Sequence, residues 1–163
     1  MKTLSAAYLY VLDRIACSFL GLNTTWALTG SANLALQGVN VQPKDVDILS
    51  DRDGVYQLEN RLSRYMVKRV EFGSIDDIRS HHGMARIGDV DIDLIGDMEN
   101  QLQPGTWEPH ETWQENIVFI RACTYSIPAL SLQYEHKIYT KLRNLDLAGR
   151  ITTRLETENR AYP

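Results

Sequence analysis

Trp26-Ala27-Leu28-Thr29-Gly30-Ser31-Ala32-Asn33-Leu34 and, after a short connection, Lys44-Asp45-Val46-Asp47-Ile48-Leu49-Ser50 are the two halves of the stretch that decides the fold. The first half sets a Gly-Ser pair directly after a short apolar run. The second sets two acids, one residue apart, inside another apolar run. The pattern reads as a strand, a turn of phosphate size, a short helix, and a second strand carrying paired carboxylates. Successive side chains of a strand point to opposite faces, so Asp45 and Asp47 share one face and Val46 and Ile48 the other. Two carboxylates that close repel unless a cation lies between them. Mg²⁺ suits them, because it takes oxygen ligands, keeps several waters and shares its remaining positions with phosphate oxygens. The Gly30-Ser31 turn precedes a helix, so its backbone N–H groups and the Ser31 hydroxyl can hold an anion. A triphosphate bridging that turn and the metals would be held at both ends.

A third carboxylate is expected from a neighbouring strand, and Val90-Asp91-Ile92-Asp93-Leu94-Ile95 offers two on one face. Asp93 lies deeper in the apolar run than Asp91, and an acid there is costly unless paired or hydrogen bonded. Asp93 is therefore the expected third member.

Working outward, Leu4, Tyr8, Val11, Leu12, Ile15 and Phe19 recur at helical spacing and predict a helix over 3–20, ended by Gly21. Residues 26–29 read as a buried strand, 32–37 as a brief helix stopped by Gly38, and 45–49 as the second strand. Asp51 to Gly54 supply turn and cap residues for a helix over about 55–65, with Val55, Leu58, Leu62 and Tyr65 as its apolar face. Residues 66–72 suggest a strand toward a sheet edge, 73–82 a polar connection, and 84–87 and 90–95 two strands joined at a Gly88-Asp89 hairpin. Residues 100–115, with Pro104, Trp107, Pro109 and Trp113, read as a loop. Residues 117–127 have strand character that Pro128 breaks. A last helix begins near Ser131 and carries Leu132, Ile138, Leu142 and Leu145 on one face, and beyond Gly149 the tail reads as polar and frayed.

Gly30-Ser31, then Asp45-Val46-Asp47, then an acid on a later strand resembles the signature of the DNA polymerase β-like nucleotidyltransferase superfamily, in particular its small single-domain bacterial and archaeal members. The similarity extends to 26–37, to Ile78-Arg79-Ser80-His81, to 90–97 and to Ile127-Pro128-Ala129-Leu130-Ser131-Leu132 through Lys141. The resemblance implies an α/β (α+β) palm-like fold, a mixed β-sheet backed by helices. It implies metal-dependent transfer of a nucleoside monophosphate, AMP from ATP first, to a hydroxyl of a small-molecule or protein acceptor. On that pattern Asp45, Asp47 and Asp93 bind two Mg²⁺ ions, with Mn²⁺ as the alternative, and Asp93 also activates the attacking hydroxyl. Gly30, Ser31 and Lys141 match positions that hold the nucleotide.

Superfamily members with known acceptors usually carry an added domain or long helical extension that binds the acceptor, and here only residues 100–115 and the C-terminal helix are expected to serve that task. A homodimer partner or another subunit would complete the cleft, or the chain is a catalytically silent nucleotide-binding or interaction module, as in a toxin–antitoxin-like pair. A glycosyltransferase using Asp45-Val46-Asp47 to hold a sugar nucleotide's metal would need a larger nucleotide-sugar domain.

Length and composition agree with one domain over 1–163, its core at about 22–147 and a polar tail over 150–163: 44% of residues are apolar and 23% charged. A net charge of −4 gives no general attraction for nucleic acid or acidic membranes. Cys17 and Cys123 lack metal-ligand or disulfide spacing and read as reduced, partly buried thiols of a cytoplasmic protein. Asp13 and Arg14 interrupt the apolar run after Met1-Lys2, so neither a signal peptide nor a membrane span is expected. Arg79, Ser80, His81 and His82 form a polar cluster that is either a capped turn or a substrate contact, and Trp107 and Trp113 either stack on a ligand or pack their loop down.

Overall fold

The computed structural model describes residues 4–161. Met1, Lys2, the expected helix start at Thr3, and Tyr162 and Pro163 of the tail lie outside the described residues. Helix α1 (Ala6–Ser18) forms on the expected stripe: Val11, Leu12 and Ile15 are buried, as are Leu4 and Phe19 beyond its ends. Strand β1 (Trp26–Thr29) follows as expected. Helix α2 (Gly30–Leu36) begins at the glycine itself, so Gly30-Ser31 is the helix's first turn and not a separate loop ahead of it. Strand β2 (Val46–Ser50) starts one residue after Asp45. Helix α3 (Arg52–Arg61) starts and ends earlier than expected, because Asp51 caps it by accepting from the Gly54 N–H at 2.6 Å and a 3₁₀ turn at Ser63–Tyr65 takes over.

The remaining strands are β3 (Met66–Ile75), β4 (Ile78–Ile87), β5 (Val90–Gln103), β6 (Thr106–Pro109), β7 (Ile117–Arg121) and β8 (Ser126–Leu130). They complete one eight-stranded sheet in the order β3-β4-β5-β2-β1-β8-β7, with β6 pairing on β5. The sheet is mixed: β2 runs parallel to β5 and β1 parallel to β8, and the other pairs are antiparallel. The chain closes with α4 (Leu132–Lys141) and α5 (Leu145–Ala161).

Strand alternation divides the interior between the two faces. Leu28, Ile48, Ile92 and Leu94 pack with α1, α2, α3 and Ile151 of α5 in the main core. Ala27, Leu49 and Leu130 pack with Trp113 and Tyr134 of α4 in a smaller cluster. Burying each such aliphatic side chain is worth roughly 1.5–3 kcal/mol, so the main core fixes the sheet. The smaller cluster sets α4 across the opposite face.

Elsewhere the structure differs from the expected elements in five further places. Residues 73–82 are the tip and arms of the β3–β4 hairpin, in which Phe72 to Ile75 pair with Ile78 to His81. The supposed loop over 100–115 contains the end of β5, β6 and a 3₁₀ turn at Trp113–Asn116. Pro128 does not break a strand but lies inside β8, opposite Phe119; the pairing of β8 with β1 is registered only at Leu28 and Ala129, so a missing amide costs little there. The last helix is two helices, because Arg143 takes a left-handed φ of 58° between them, and Leu145 is exposed instead of continuing the apolar face. The supposed frayed tail is α5, held by buried Ala148 and Ile151 with Leu147 and Leu155 packed alongside.

Cys123 is half-buried as expected, whereas Cys17 is exposed; both are free thiols. No helix among the described residues is long and apolar enough to cross a membrane.

Candidate active site

Parallel pairing of β2 with β5 places Asp47 in register with Asp93, and antiparallel pairing with β1 places Thr29 beside Asp47 on its other side. Asp45 lies immediately before β2. Each of the three acids offers a carboxylate oxygen, and these oxygens lie within 4.8 Å of one another. Asp91, the other acid of the 90–95 run, is instead paired with Arg86 at 2.5 Å. Asp93, expected as the third member for its depth in the apolar run, is the one of the two whose carboxylate lies beside Asp45 and Asp47.

Three converging carboxylates shape the local electrostatics. Burial, followed by the charges of Asp45, Asp93 and Glu135, pushes the Asp47 carboxyl well above the ordinary carboxylate range. Asp45 is raised for the same reasons, burial first and Asp93 next, with Lys44 opposing. The donor set is all oxygen and its charges are mutually unfavourable, which is the chemistry that a hard divalent cation relieves.

Gly30 packs directly against the Asp47 side chain. The Ser31 hydroxyl accepts from the Lys44 N–H at 3.2 Å, tying the first turn of α2 to the residue before Asp45. The Gly-Ser pair and the paired acids, thirteen residues apart in the chain at that contact, are therefore adjacent in space. Lys141 is not in the same place. It ion-pairs with Glu108 of β6 and lines a small neighbouring groove with His110, while Leu142 is the α4-side residue lining the cleft beside Asp47 and Asp93. That cleft has a volume of about 700 Å³ and is bordered on the hairpin side by Lys68, Glu71, Asp76 and Asp77.

Three residues at the site were not singled out as its members from sequence. His82 on β4 touches Asp93, its Nε2 lying 2.6 Å from Oδ1. Glu135 on α4 is buried beneath the first turn of α2, where one oxygen accepts from Thr29 Oγ1 at 2.8 Å, the Gly30 N–H at 3.1 Å and Asn33 Nδ2 at 2.8 Å. Burial pushes its carboxyl up to about 7, against the downward pull of those hydrogen bonds. Tyr139 follows one turn later, and burial, then the charges of Glu135, Asp47 and Asp45, raise its phenol. A signal for Glu135 was present: an acid at position 135 sits between Leu132 and Ile138 of the apolar stripe, where only a partnered acid is tolerated. Trp113 packs into the smaller core, and Trp107 lies beneath the Arg79 guanidinium, 4.7 Å from its ring centre. Both tryptophans hold their segment down.

The mixed sheet, the Gly-Ser turn against the Asp-x-Asp strand and the third acid on the parallel neighbour define a nucleotidyltransferase of the polymerase β-like superfamily. The chain belongs to the aminoglycoside-2″-adenylyltransferase family, whose model matches residues 11–158. A candidate nucleotidyltransferase from Thermotoga maritima, known from a crystal structure, is 34% identical and superposes with a TM-score of 0.80 over 95% of this chain and 96% of that one. Two antibiotic-modifying enzymes share the fold at 13% identity. One is ANT(2″)-Ia in complex with adenylyl-2″-tobramycin, with a TM-score of 0.59 over 94% of this chain and 92% of that one. The other is the lincomycin-bound lincosamide antibiotic adenylyltransferase LnuA, with a TM-score of 0.55 over 94% of this chain and 99% of that one. No curated protein sequence matches the chain.

Proposed function

We propose that the chain transfers AMP from ATP to a hydroxyl group of an acceptor and releases pyrophosphate, with Asp45, Asp47 and Asp93 as the metal-binding and catalytic acids. The observation that carries this reading is the convergence of the three carboxylates within 4.8 Å beside the Gly30-Ser31 turn. The acids would hold Mg²⁺, two ions on the superfamily's pattern or Mn²⁺ in its place, whose chemistry is to neutralise charge on the attacking and leaving oxygens. Asp93 takes the proton of the acceptor hydroxyl as that oxygen bonds to the α-phosphorus. The bond from the α-phosphorus to the α–β bridging oxygen breaks, and pyrophosphate leaves with the electron pair. Gly30 and Ser31 hold the triphosphate against β2. Lys141 reaches it by leaving Glu108.

The described residues act as a single nucleotidyltransferase domain in the cytoplasm. The structural neighbours hold adenylyl-2″-tobramycin and lincomycin, so small antibiotic-like molecules are the first acceptors to offer. Asp76 and Asp77 on the cleft's hairpin side favour an acceptor carrying positive charge. The test is transfer of label from α-³²P-ATP to aminoglycosides, lincosamides and candidate proteins, with Mg²⁺ or Mn²⁺. Labelled product made by the wild type and lost in the Asp45→Ala, Asp47→Ala variant is the expected result. Equal labelling by both would remove these acids from the mechanism.

A further inference from the structure

We propose that His82 is the positioning residue of Asp93, and that its hydrogen bond holds the third carboxylate in the orientation that completes the acidic cluster. The inference rests on the reading of Asp45, Asp47 and Asp93 as a metal-binding set.

The register of the hairpin makes the contact. Met84 of β4 is paired with Asp93 of β5, and His82 with Ile95, so His82 stands on the Asp93 face, displaced diagonally by two residues. Diagonal neighbours of this kind are within reach when one side chain is long. The imidazole Nε2 meets Asp93 Oδ1 at 2.6 Å, with the two side chains 29% and 21% exposed, so the bond is largely sheltered yet borders the cleft.

Asp93 needs such a restraint. The terminal torsion of an aspartate is broad and roughly two-fold, so nothing in the strand fixes the plane of its carboxylate. Asp45 and Asp47 repel it, which favours rotation away from the cluster. Among the described residues no other side chain donates a hydrogen bond to any of the three carboxylates, and Lys68, the one lysine or arginine lining the cleft, is paired with Glu71 at 3.3 Å. With the Nε2 proton donated to Oδ1, Asp93 keeps its second oxygen for a cation. An imidazole donor that orients a ligating carboxylate in this way contributes roughly 10- to 100-fold to metal affinity.

The experiment measures Mn²⁺ binding by electron paramagnetic resonance on the full chain, alone and with the α,β-methylene analogue of ATP. It compares wild type, Asp93→Ala, His82→Ala, His82→Phe and His82→Gln, with thermal unfolding followed in parallel. His82→Phe keeps the ring volume without the donor, so it reads the hydrogen bond even if His82→Ala fails to fold. The glutamine Nε2 occupies nearly the place of the imidazole Nε2 and restores the donor. The expected result is a loss of roughly 10- to 100-fold in Mn²⁺ affinity in His82→Phe and His82→Ala, with His82→Gln close to wild type. Wild-type affinity in His82→Phe alongside lost binding in Asp93→Ala would overturn the positioning role. So would a His82→Gln variant as weak as His82→Phe. Unchanged binding in Asp93→Ala would instead overturn the metal assignment on which the proposal rests, a failure that the same titration tells apart.

Discussion

Gly30 and Asp47 are in such close contact that a Cβ added to Gly30 would lie 2.1 Å from Asp47 Oδ2 and 3.1 Å from its Cγ. Gly30 also holds a φ of 70°, in the left-handed region that L side chains disfavour. The glycine therefore serves twice, once for the backbone conformation that opens α2 and once for the space that Asp47 fills.

Gly30→Ala should accordingly cost about 1–2 kcal/mol of stability from the backbone alone. It should also push the Asp47 carboxylate out of line with Asp93. Misplacing a reacting group by about 1 Å can cost on the order of 100-fold in rate. Urea unfolding and labelled-ATP turnover on the same variant check both. A variant of unchanged stability and turnover would show that the turn is not held as described.

Burial first, and then the charges of three neighbouring carboxylates, raise the Asp47 carboxyl well above the ordinary carboxylate range. In EDTA, Asp47→Asn should melt at a higher temperature than wild type, by about 2–4 °C for each kcal/mol of repulsion relieved. Added Mg²⁺ should raise the melting temperature of the wild type, because an ion that binds only the folded state stabilises it by mass action. The asparagine variant should gain little from Mg²⁺. Differential scanning fluorimetry with and without the ion separates the two proteins. Parallel Mg²⁺ responses would exclude Asp47 from the metal site.

Glu135 provides a pH-dependent reading of the same neighbourhood. Its folded pKa, about 7, lies above the ordinary glutamate value, because burial outweighs the three hydrogen bonds to its oxygen. An acid raised in this sense favours the folded state in its protonated form. Its contribution is full below the unfolded pKa of about 4.3 and is lost as pH rises through about 7. Glu135→Gln removes that titration, so between pH 5 and 8 its stability should fall less steeply than that of the wild type. Chemical unfolding at several pH values gives both slopes, and identical slopes would refute the assignment.

The legible part of the molecule was the part governed by local alternation. Val46-Asp47-Ile48 and Ile92-Asp93-Leu94 declare their two faces in sequence, and the parallel register then brings Asp47 onto Asp93. Residues 73–82 were not legible as strand. Ser74, Arg79, Ser80 and His81 have no apolar periodicity, and pairing with β3 and β5 holds β4 in place. With that strand unseen, His82 had no place relative to Asp93. The break between α4 and α5 was hidden for another reason. Arg143 is an ordinary helix former in sequence, and its left-handed backbone is joined to an Asn144 cap whose side chain accepts from the Leu147 N–H at 3.3 Å. Neither residue announces a stop as a glycine would, so Leu145 was placed on a helix face that had already ended.

Lys141 supplies the last prediction, because its partner in the structure is not the carboxylate cluster. Its ammonium pairs with Glu108, and the two side chains are 48% and 40% exposed. A pair so open to water is worth at most about 1 kcal/mol, so a triphosphate of several negative charges can draw the lysine away from it. If Lys141 is a nucleotide ligand, Lys141→Ala should raise the KM for ATP by roughly tenfold, the equivalent of about 1.4 kcal/mol, while kcat changes little. Glu108→Gln removes the competing anion and should lower KM, the opposite sign at a neighbouring position. Steady-state kinetics on the two single variants and the double variant decide it. An effect of Glu108→Gln that persists in the Lys141→Ala background would mean that Glu108 acts on the nucleotide by another route, and an unchanged KM in Lys141→Ala would leave the lysine as the anchor of β6.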